Sequence, residues 1–316
     1  MDDAEIERLV GGPPRLRIDD IVNHPRFPEA RKAYLDRFLE LYGGDPFMVR
    51  LLIESGRIVV YLIAAVLEAA QDPARRDTWL TIGLLKRTLG LFGIGSGRHI
   101  DDLIARLCAV GFMESCACEA DRRVRILRPT APFRAHDRAW LAAHHAPLAA
   151  LYPQYDYGYV MRGDPDFQAV QRRVSMAFLP LGAKLLHAVP EMMNFLNHAG
   201  GAMVLAALLQ AAMMQDDPHA AVPYGDVGDR FGVSRTQVRN LLREAEASGL
   251  VRLHARGGHR VEILPQLWPR YDRWLAGGMY GHDLIYRAAL RAMEAPADSP
   301  LIPQVAGAHD AMRLTA

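Results

Sequence analysis

Phe231-Gly232-Val233-Ser234-Arg235-Thr236-Gln237-Val238-Arg239 is the stretch of this 316-residue chain that most strongly predicts its fold. Gly232 can adopt the positive φ that turns the chain sharply between two helices. Ser234 is a favoured N-cap residue, and Gln237 three positions later completes the pattern of a capping box. The stretch therefore predicts a turn at Gly232 and a helix that starts at Ser234.

The residues after this start have the apolar spacing of an amphipathic helix. Val238, Leu241, Leu242 and Ala245 recur at i, i+3, i+4 and i+7, which predicts one buried stripe. Gly249 is a typical residue just beyond a helix end, so the predicted recognition helix covers 234–248. The polar residues left on its outer face are Arg235, Thr236, Gln237, Arg239, Asn240 and Arg243.

A β-hairpin, or wing, is predicted over 250–264, directly after this helix. Residues 250–254 and 260–264 alternate as strands do, and Gly257-Gly258 between them is a strong hairpin signal. Arg256, His259 and Arg260 flank the predicted tip. A helix–turn–helix followed by a basic hairpin is the element order of a winged helix domain, in which the second helix enters the major groove of DNA.

Charge is concentrated in this region. Residues 233–260 contain six Arg against two Glu, a net charge of +4, whereas the whole chain has a formal net charge of +1. A nearly neutral chain does not coat DNA by charge alone, but a local basic patch can neutralise phosphates. We therefore predict double-stranded DNA as the partner, contacted by Ser234, Arg235, Thr236, Gln237, Arg239, Asn240, Arg243, Arg256, His259 and Arg260.

The chain also contains a weak internal repeat. Pro46 and Gly56 match Pro190 and Gly200 at an offset of 144 residues, and the offset then shrinks towards Trp140 and Trp274, as short loop deletions would produce. We therefore predict a mainly α fold with small β-hairpin wings, made of two tandem winged helix-turn-helix domains with flanking helices. The predicted segments are an N-terminal extension (1–29), a first repeat with a degenerate recognition helix (30–141), a linker (142–167), a DNA-binding second repeat (168–290) and a loose tail (291–316).

The first repeat has the pattern of the second without its charge. Ser96 is its predicted N-cap, but Asp101 and Asp102 stand where the second repeat has Arg239 and Asn240. Residues 94–125 contain five Arg against five acidic residues, so their net charge is zero. Carboxylates that face phosphates weaken binding, so we expect this repeat to support packing or a partner contact rather than base reading.

No catalytic constellation, metal site or cofactor motif is predicted. The histidines lack metal-ligand spacing, and no nucleophile elbow, zinc-protease or P-loop pattern is present. Three cysteines, Cys108, Cys116 and Cys118, leave two interpretations open: small buried side chains, or a redox or metal sensor. Their odd number is typical of a reducing cytoplasm, and the apolar run 58–67 is too short to cross a membrane. We predict a cytoplasmic protein that is not an enzyme and has no membrane partner.

Each repeat resembles the MarR group of bacterial regulators in element order, in the helix that begins at Ser234 and in the wing around Arg256–Arg260. The resemblance implies a transcriptional regulator in which one chain imitates a dimer. It leaves open a homodimer of the full chain and a small-molecule effector. Two alternatives also stay open at this stage: an architectural or protein-interaction protein with paired winged helices, and a DNA binder similar to a replication initiator.

Overall fold

The computed structural model describes residues 1–43, 46–53, 56–93, 97–118, 122–215 and 218–295. In its first half, α-helices surround one hairpin, with a short π-helical turn at Val49–Ile53. The elements are α1 (Asp3–Val10), α2 (Ile18–Val22), α3 (Phe27–Gly43), α4 (Pro46–Met48), α5 (Arg57–Ala70), α6 (Ile82–Leu89), α7 (Gly97–Ala109), β1 (Met113–Ala117), β2 (Arg125–Pro129) and α8 (Ala131–Leu151).

The second half repeats the same succession of elements after a short connection. A helix in the connection and a divided first helix precede the repeated core. The elements are α9 (Gly158–Met161), α10 (Pro165–Ser175), α11 (Leu179–Leu186), α12 (Pro190–Leu196), α13 (Gly201–Gln215), β3 (His219–Ala220), α14 (Tyr224–Phe231), α15 (Arg235–Ala247), β4 (Val251–Leu253), β5 (Val261–Ile263) and α16 (Leu267–Glu294).

Two small antiparallel sheets accompany these helices. β1 pairs with β2, and β3, β5 and β4 form a three-stranded sheet in that order. The prediction of a mainly α fold with small β-hairpins is therefore confirmed. Strand β3 was not predicted, because two residues are too few to produce an alternating pattern.

The same backbone turns occur at corresponding places in the two halves. Gly93 and Gly232 have φ of 60° and 68°, and each follows the first helix of a close helix pair. Gly111 and Gly249 have φ of 75° and 69° and follow the second helix. The two halves therefore share these backbone turns as well as the order of their elements.

Two apolar helices, α5 and α13, lie at the centre of their halves. A helix that is apolar around most of its circumference has to be covered on several sides. α5 is covered by α6, α8 and α10, and α13 by α3, α12 and α14. Among the described residues no single helix is long and apolar enough to span a membrane; Pro190–Leu196 and Gly201–Met214 pass that test only as a pair bent by 110°.

Helices cross the segment boundaries that we placed from the sequence. α8 continues from Ala131 to Leu151, past the predicted start of the linker at residue 142. Within the predicted N-terminal extension, α1 and α2 pack against α16. α16 also contacts α8, α10, α11 and α12, so one 28-residue helix touches both halves of the chain. Residues 296–316 of the predicted tail lie outside the described residues.

A buried ion pair joins the two halves. Asp137 on α8 is 1% exposed and accepts hydrogen bonds from Arg172 on α10, whose Nε lies 3.0 Å from Asp137 Oδ2. Gln168 Nε2 donates to the same Oδ2 at 2.6 Å. A carboxylate this deeply buried remains charged only with such partners, because desolvation is otherwise too costly. The pair therefore fixes how α8 and α10 meet.

Replacing Arg172 with Met should lower the free energy of unfolding by about 3–5 kcal/mol, because it leaves a buried carboxylate without its counter-ion. The double variant Asp137→Leu/Arg172→Met removes both charges, and we expect it to recover most of the loss. Urea unfolding followed by circular dichroism at pH 7 measures both effects. An Arg172→Met protein as stable as the parent would show that the pair is dispensable.

Candidate nucleic-acid interface

The helix pair α14–α15 is held by a close turn. Gly232 has φ of 68°, and Val233 N donates to Gly228 O at 3.0 Å. A Cβ placed on Gly228 would lie 2.6 Å from Val233 O, closer than real Cβ contacts. The two helices can therefore approach only because Gly228 has no side chain, and the predicted turn at Gly232 is confirmed.

Both ends of α15 are capped by the residues predicted from the sequence. Ser234 Oγ accepts from Gln237 N at 3.2 Å, and Ser234 N donates to Gln237 Oε1 at 2.7 Å, which completes the capping box. At the other end Gly249 has φ of 69°, and Leu250 N donates to Ala245 O at 2.9 Å in the pattern of a Schellman motif. The helix covers 235–247 between its caps, as expected from the sequence.

The buried stripe of α15 is also confirmed. Val238 and Leu242 are fully buried, and Leu241 and Ala245 are nearly so. They pack α15 against α12, α13 and β4. Because these elements cover one side, the opposite side faces solvent.

All ten predicted DNA-contacting residues are exposed. Within the described part of the chain, no acidic side chain forms an ion pair with Arg239, Arg243, Arg256 or Arg260. Arg235 differs, since a Cβ on Gly225 would lie 2.5 Å from its guanidinium and the side chain therefore packs over α14. We call the exposed face of α15 together with the hairpin tip the basic face; its members are Ser234, Arg235, Thr236, Gln237, Arg239, Asn240, Arg243, Arg256, His259 and Arg260.

The two acidic residues of α15 are engaged elsewhere. Glu244 Oε2 lies 3.1 Å from His198 Nε2 in the corner between α12 and α13. Glu246 Oε1 accepts from Leu253 N at 2.7 Å, at the end of β4. These contacts hold both carboxylates at the far end of the helix and leave its N-terminal part with a positive charge.

The strands of the hairpin are shorter than predicted, and its tip packs against the segment before α14. β4 and β5 cover 251–253 and 261–263, inside the predicted 250–264. Gly258 O accepts from Val222 N at 2.8 Å, and a Cβ on Gly258 would lie 2.2 Å from Val222 O. The glycine pair therefore lets the tip dock on the segment before α14, which leaves Arg256, His259 and Arg260 exposed in a fixed turn.

One cluster with metal-ligand side chains lies at the base of this hairpin. The ligand atoms of His219, His254 and Glu262 are within 4.8 Å of one another. His254 Nε2 and Glu262 Oε2 are only 2.6 Å apart, whereas two ligands of one tetrahedral zinc ion lie about 3.3 Å apart, given bonds of about 2.0–2.1 Å. This is the geometry of a hydrogen bond rather than of two ligands on one ion, and the bond from His254 lowers the pKa of Glu262. No sequence pattern indicated the cluster, because strand pairing alone brings His219 opposite Glu262.

The corresponding surface of the first half is different in charge. Asp101 and Asp102 on α7 are both exposed, and Asp101 forms an ion pair with Lys86 on α6 at 2.7 Å. This pairing was not predicted, because it connects residues 15 positions apart on two helices. It neutralises Lys86, and residues 94–125 contain five Arg against five acidic residues, so this region has no basic excess. The predicted N-cap Ser96 and the hairpin residues 119–121 lie outside the described residues.

The three cysteines lie on α7 and on or just beyond β1. Cys108 and Cys116 are half-buried and Cys118 is buried, and all three are free thiols. Burial raises the pKa of the Cys108 thiol, which lowers its thiolate fraction and its reactivity. Cys118 lies just beyond β1, where its N donates to Val124 O at 2.9 Å. These positions are more typical of packing than of a sensor.

We compared the chain with protein-family models, with curated proteins and with solved structures, and none of the three comparisons found a match. Function is therefore inferred from the geometry of the basic face.

Replacing Gly228 with Ala should lower the free energy of unfolding by about 1–3 kcal/mol, because the new methyl group meets the Val233 carbonyl. Gly83→Ala on α6 is the matched control: its Cβ makes only ordinary contacts, and we expect a gain of about 0.5–1 kcal/mol from reduced backbone entropy. Urea unfolding compares the two variants. Equal stability of both variants would contradict the close helix approach.

Proposed function

We propose that this chain is a DNA-binding transcriptional regulator built from two winged helix-turn-helix domains. In this proposal α15 enters the major groove of double-stranded DNA, and the hairpin tip contacts the neighbouring backbone. The observation that carries the proposal is the basic face. It combines a helix capped at both ends with exposed arginine side chains, while the two glutamates of the helix are held by contacts at its far end. Such a surface is suited to both kinds of contact that DNA recognition needs, phosphate neutralisation and hydrogen bonding to base edges.

The basic face divides by residue type between these two tasks. Arginine forms bidentate bonds with guanine, and asparagine forms them with adenine, so Arg239 and Asn240 on the exposed side of α15 are suited to base edges. Gln237 uses its side-chain oxygen in the capping box, which leaves its amide N–H groups for a base acceptor. Arg256 and Arg260 on the hairpin are suited to phosphates, where position matters more than sequence.

The Arg239→Ala/Arg243→Ala variant should bind a 30-base-pair duplex about tenfold or more weakly, and the salt dependence of its affinity should become shallower by about one to two in log–log slope. Fluorescence anisotropy with a labelled duplex, over 50–200 mM salt, measures both quantities. Arg98→Ala/Arg106→Ala on α7 removes the same charge from the first half and is the matched control, for which we expect little change. Undetectable binding by the parent protein, or equal losses in both double variants, would argue against α15 as the DNA-binding helix.

The first half is proposed to contribute little to DNA binding. Asp101→Ala/Asp102→Ala removes two carboxylates from the exposed side of α7, and we expect duplex affinity to stay the same or to rise slightly, since repulsion of phosphates is relieved. The same anisotropy titration tests this expectation. A large loss of affinity would mean that these carboxylates take part in recognition.

A second candidate is an interaction module that binds another protein through the first half. The Lys86–Asp101 ion pair favours it, because a surface with balanced, paired charges is better suited to a protein partner than to phosphates. Selection of sequences from a random duplex library separates the candidates. A single enriched motif supports a promoter reader, arrays of repeated motifs support an origin-binding initiator, and no enrichment supports the interaction module.

A further inference from the structure

A cavity of about 320 Å³ lies between the two halves and opens to solvent. Helices α3, α5 and α8 of the first half and α10–α13 and α16 of the second border it. Its wall is mostly apolar and rich in rings. Six of the aromatic side chains that line it are Tyr34, Phe38, Trp140, Phe178, Phe195 and Trp274.

The size of this cavity exceeds what packing defects produce. Interiors are packed as densely as organic crystals, and an engineered apolar cavity of roughly 150 Å³ already stays dry and binds benzene. A space about twice as large corresponds to roughly two ring systems. Two exposed glycines, Gly182 on α11 and Gly278 on α16, line the solvent-facing part of the cavity, and a Cβ added to either would meet no atom within 4 Å.

Most polar groups in the wall already have partners. His144 donates from Nδ1 to Trp140 O at 2.8 Å and accepts at Nε2 from the Tyr34 hydroxyl at 3.1 Å, which fixes its tautomer. Ser175 Oγ donates to Gln171 O at 2.7 Å. Arg172 is neutralised by Asp137 in the buried ion pair. None of these groups needs a ligand to complete its hydrogen bonding.

His282 on α16 is different. Its ring lies 5.4 Å from that of Trp140 and 5.5 Å from that of His144, centroid to centroid, and its ring nitrogens form no hydrogen bond within the described part of the chain. Burial lowers the pKa of His282 well below its usual value, so the ring is neutral. It therefore offers one N–H donor and one nitrogen acceptor to whatever occupies the cavity.

We propose that the central cavity binds a neutral aromatic small molecule of two or three rings that carries one hydroxyl or amino group hydrogen-bonded to His282. Aromatic walls favour a flat ring system through stacked and edge-to-face contacts. A charged ligand is disfavoured, because no unpaired charge in the described wall would compensate for its desolvation. The site is independent of the DNA-binding proposal, since no residue of the basic face lines it and its occupancy is measured without DNA.

The test uses the full chain and N-phenyl-1-naphthylamine, a neutral probe that has two ring systems, carries one N–H group and fluoresces more strongly in apolar surroundings. We expect saturable binding of one probe per chain with a dissociation constant in the micromolar range. Gly278→Phe should fill the cavity and weaken binding at least tenfold while the melting temperature is kept. Gly90→Phe is the matched control, because Gly90 also has open space around it but does not line the cavity, and we expect no change.

His282→Phe separates the polar contact from the apolar one. It should weaken binding of N-phenyl-1-naphthylamine several-fold but leave binding of 1-phenylnaphthalene, which has no N–H group, unchanged. Gly182→Phe provides a second cavity-filling variant if Gly278→Phe does not fold. Binding that does not saturate, or that persists unchanged in a folded cavity-filling variant, would overturn the proposal. Loss of DNA binding alone would leave it standing.

Discussion

The arrangement of the two halves depends on two buried carboxylates that are each paired with an arginine. Asp137 is held by Arg172 across the junction of α8 and α10, and Asp283 on α16 is held by Arg15, with Nε 2.9 Å from Oδ1, and by the Tyr157 hydroxyl at 2.6 Å. A pair of this kind adds little stability over apolar packing, but its geometry is demanding, and removing one partner is costly. These contacts therefore specify how the N-terminal segment, the connection and the last helix meet, and the apolar helices pack around them.

The basic face and the central cavity share one structural support, the corner between α12 and α13. A Cβ on Gly200 would lie 2.7 Å from a methyl group of Val233, and one on Gly201 would lie 2.0 Å from Phe195 O. Phe195 lines the cavity, while Val233 directly precedes the cap of α15. With so little free space, a shift of α12 that repacks the cavity wall would also move the start of α15. The two proposed sites therefore share a tightly packed boundary at this corner.

Local patterns predicted most of the second helix pair correctly, and contacts between distant residues account for what was missed. The cap at Ser234, the stripe from Val238 to Ala245 and the Gly257-Gly258 turn each depend on residues within a few positions of one another. Strand β3, the Lys86–Asp101 pair and the cavity depend on tertiary packing, which spacing does not encode. No sequence pattern indicated His282 as a ligand-binding residue, because that role depends on the rings of Trp140, His144 and His145, which tertiary packing brings next to it.

The long last helix has a consequence for how the halves can evolve. α16 belongs to the second repeat but packs on α1, α2 and α8, so the halves associate within one molecule at a high effective concentration. Their pairing does not weaken on dilution, as that of separate subunits would. The two halves also do not need identical contact surfaces, because each half has its own amino-acid sequence. The charge-balanced α7 and the basic α15 are an example of the divergence that such a covalent connection permits.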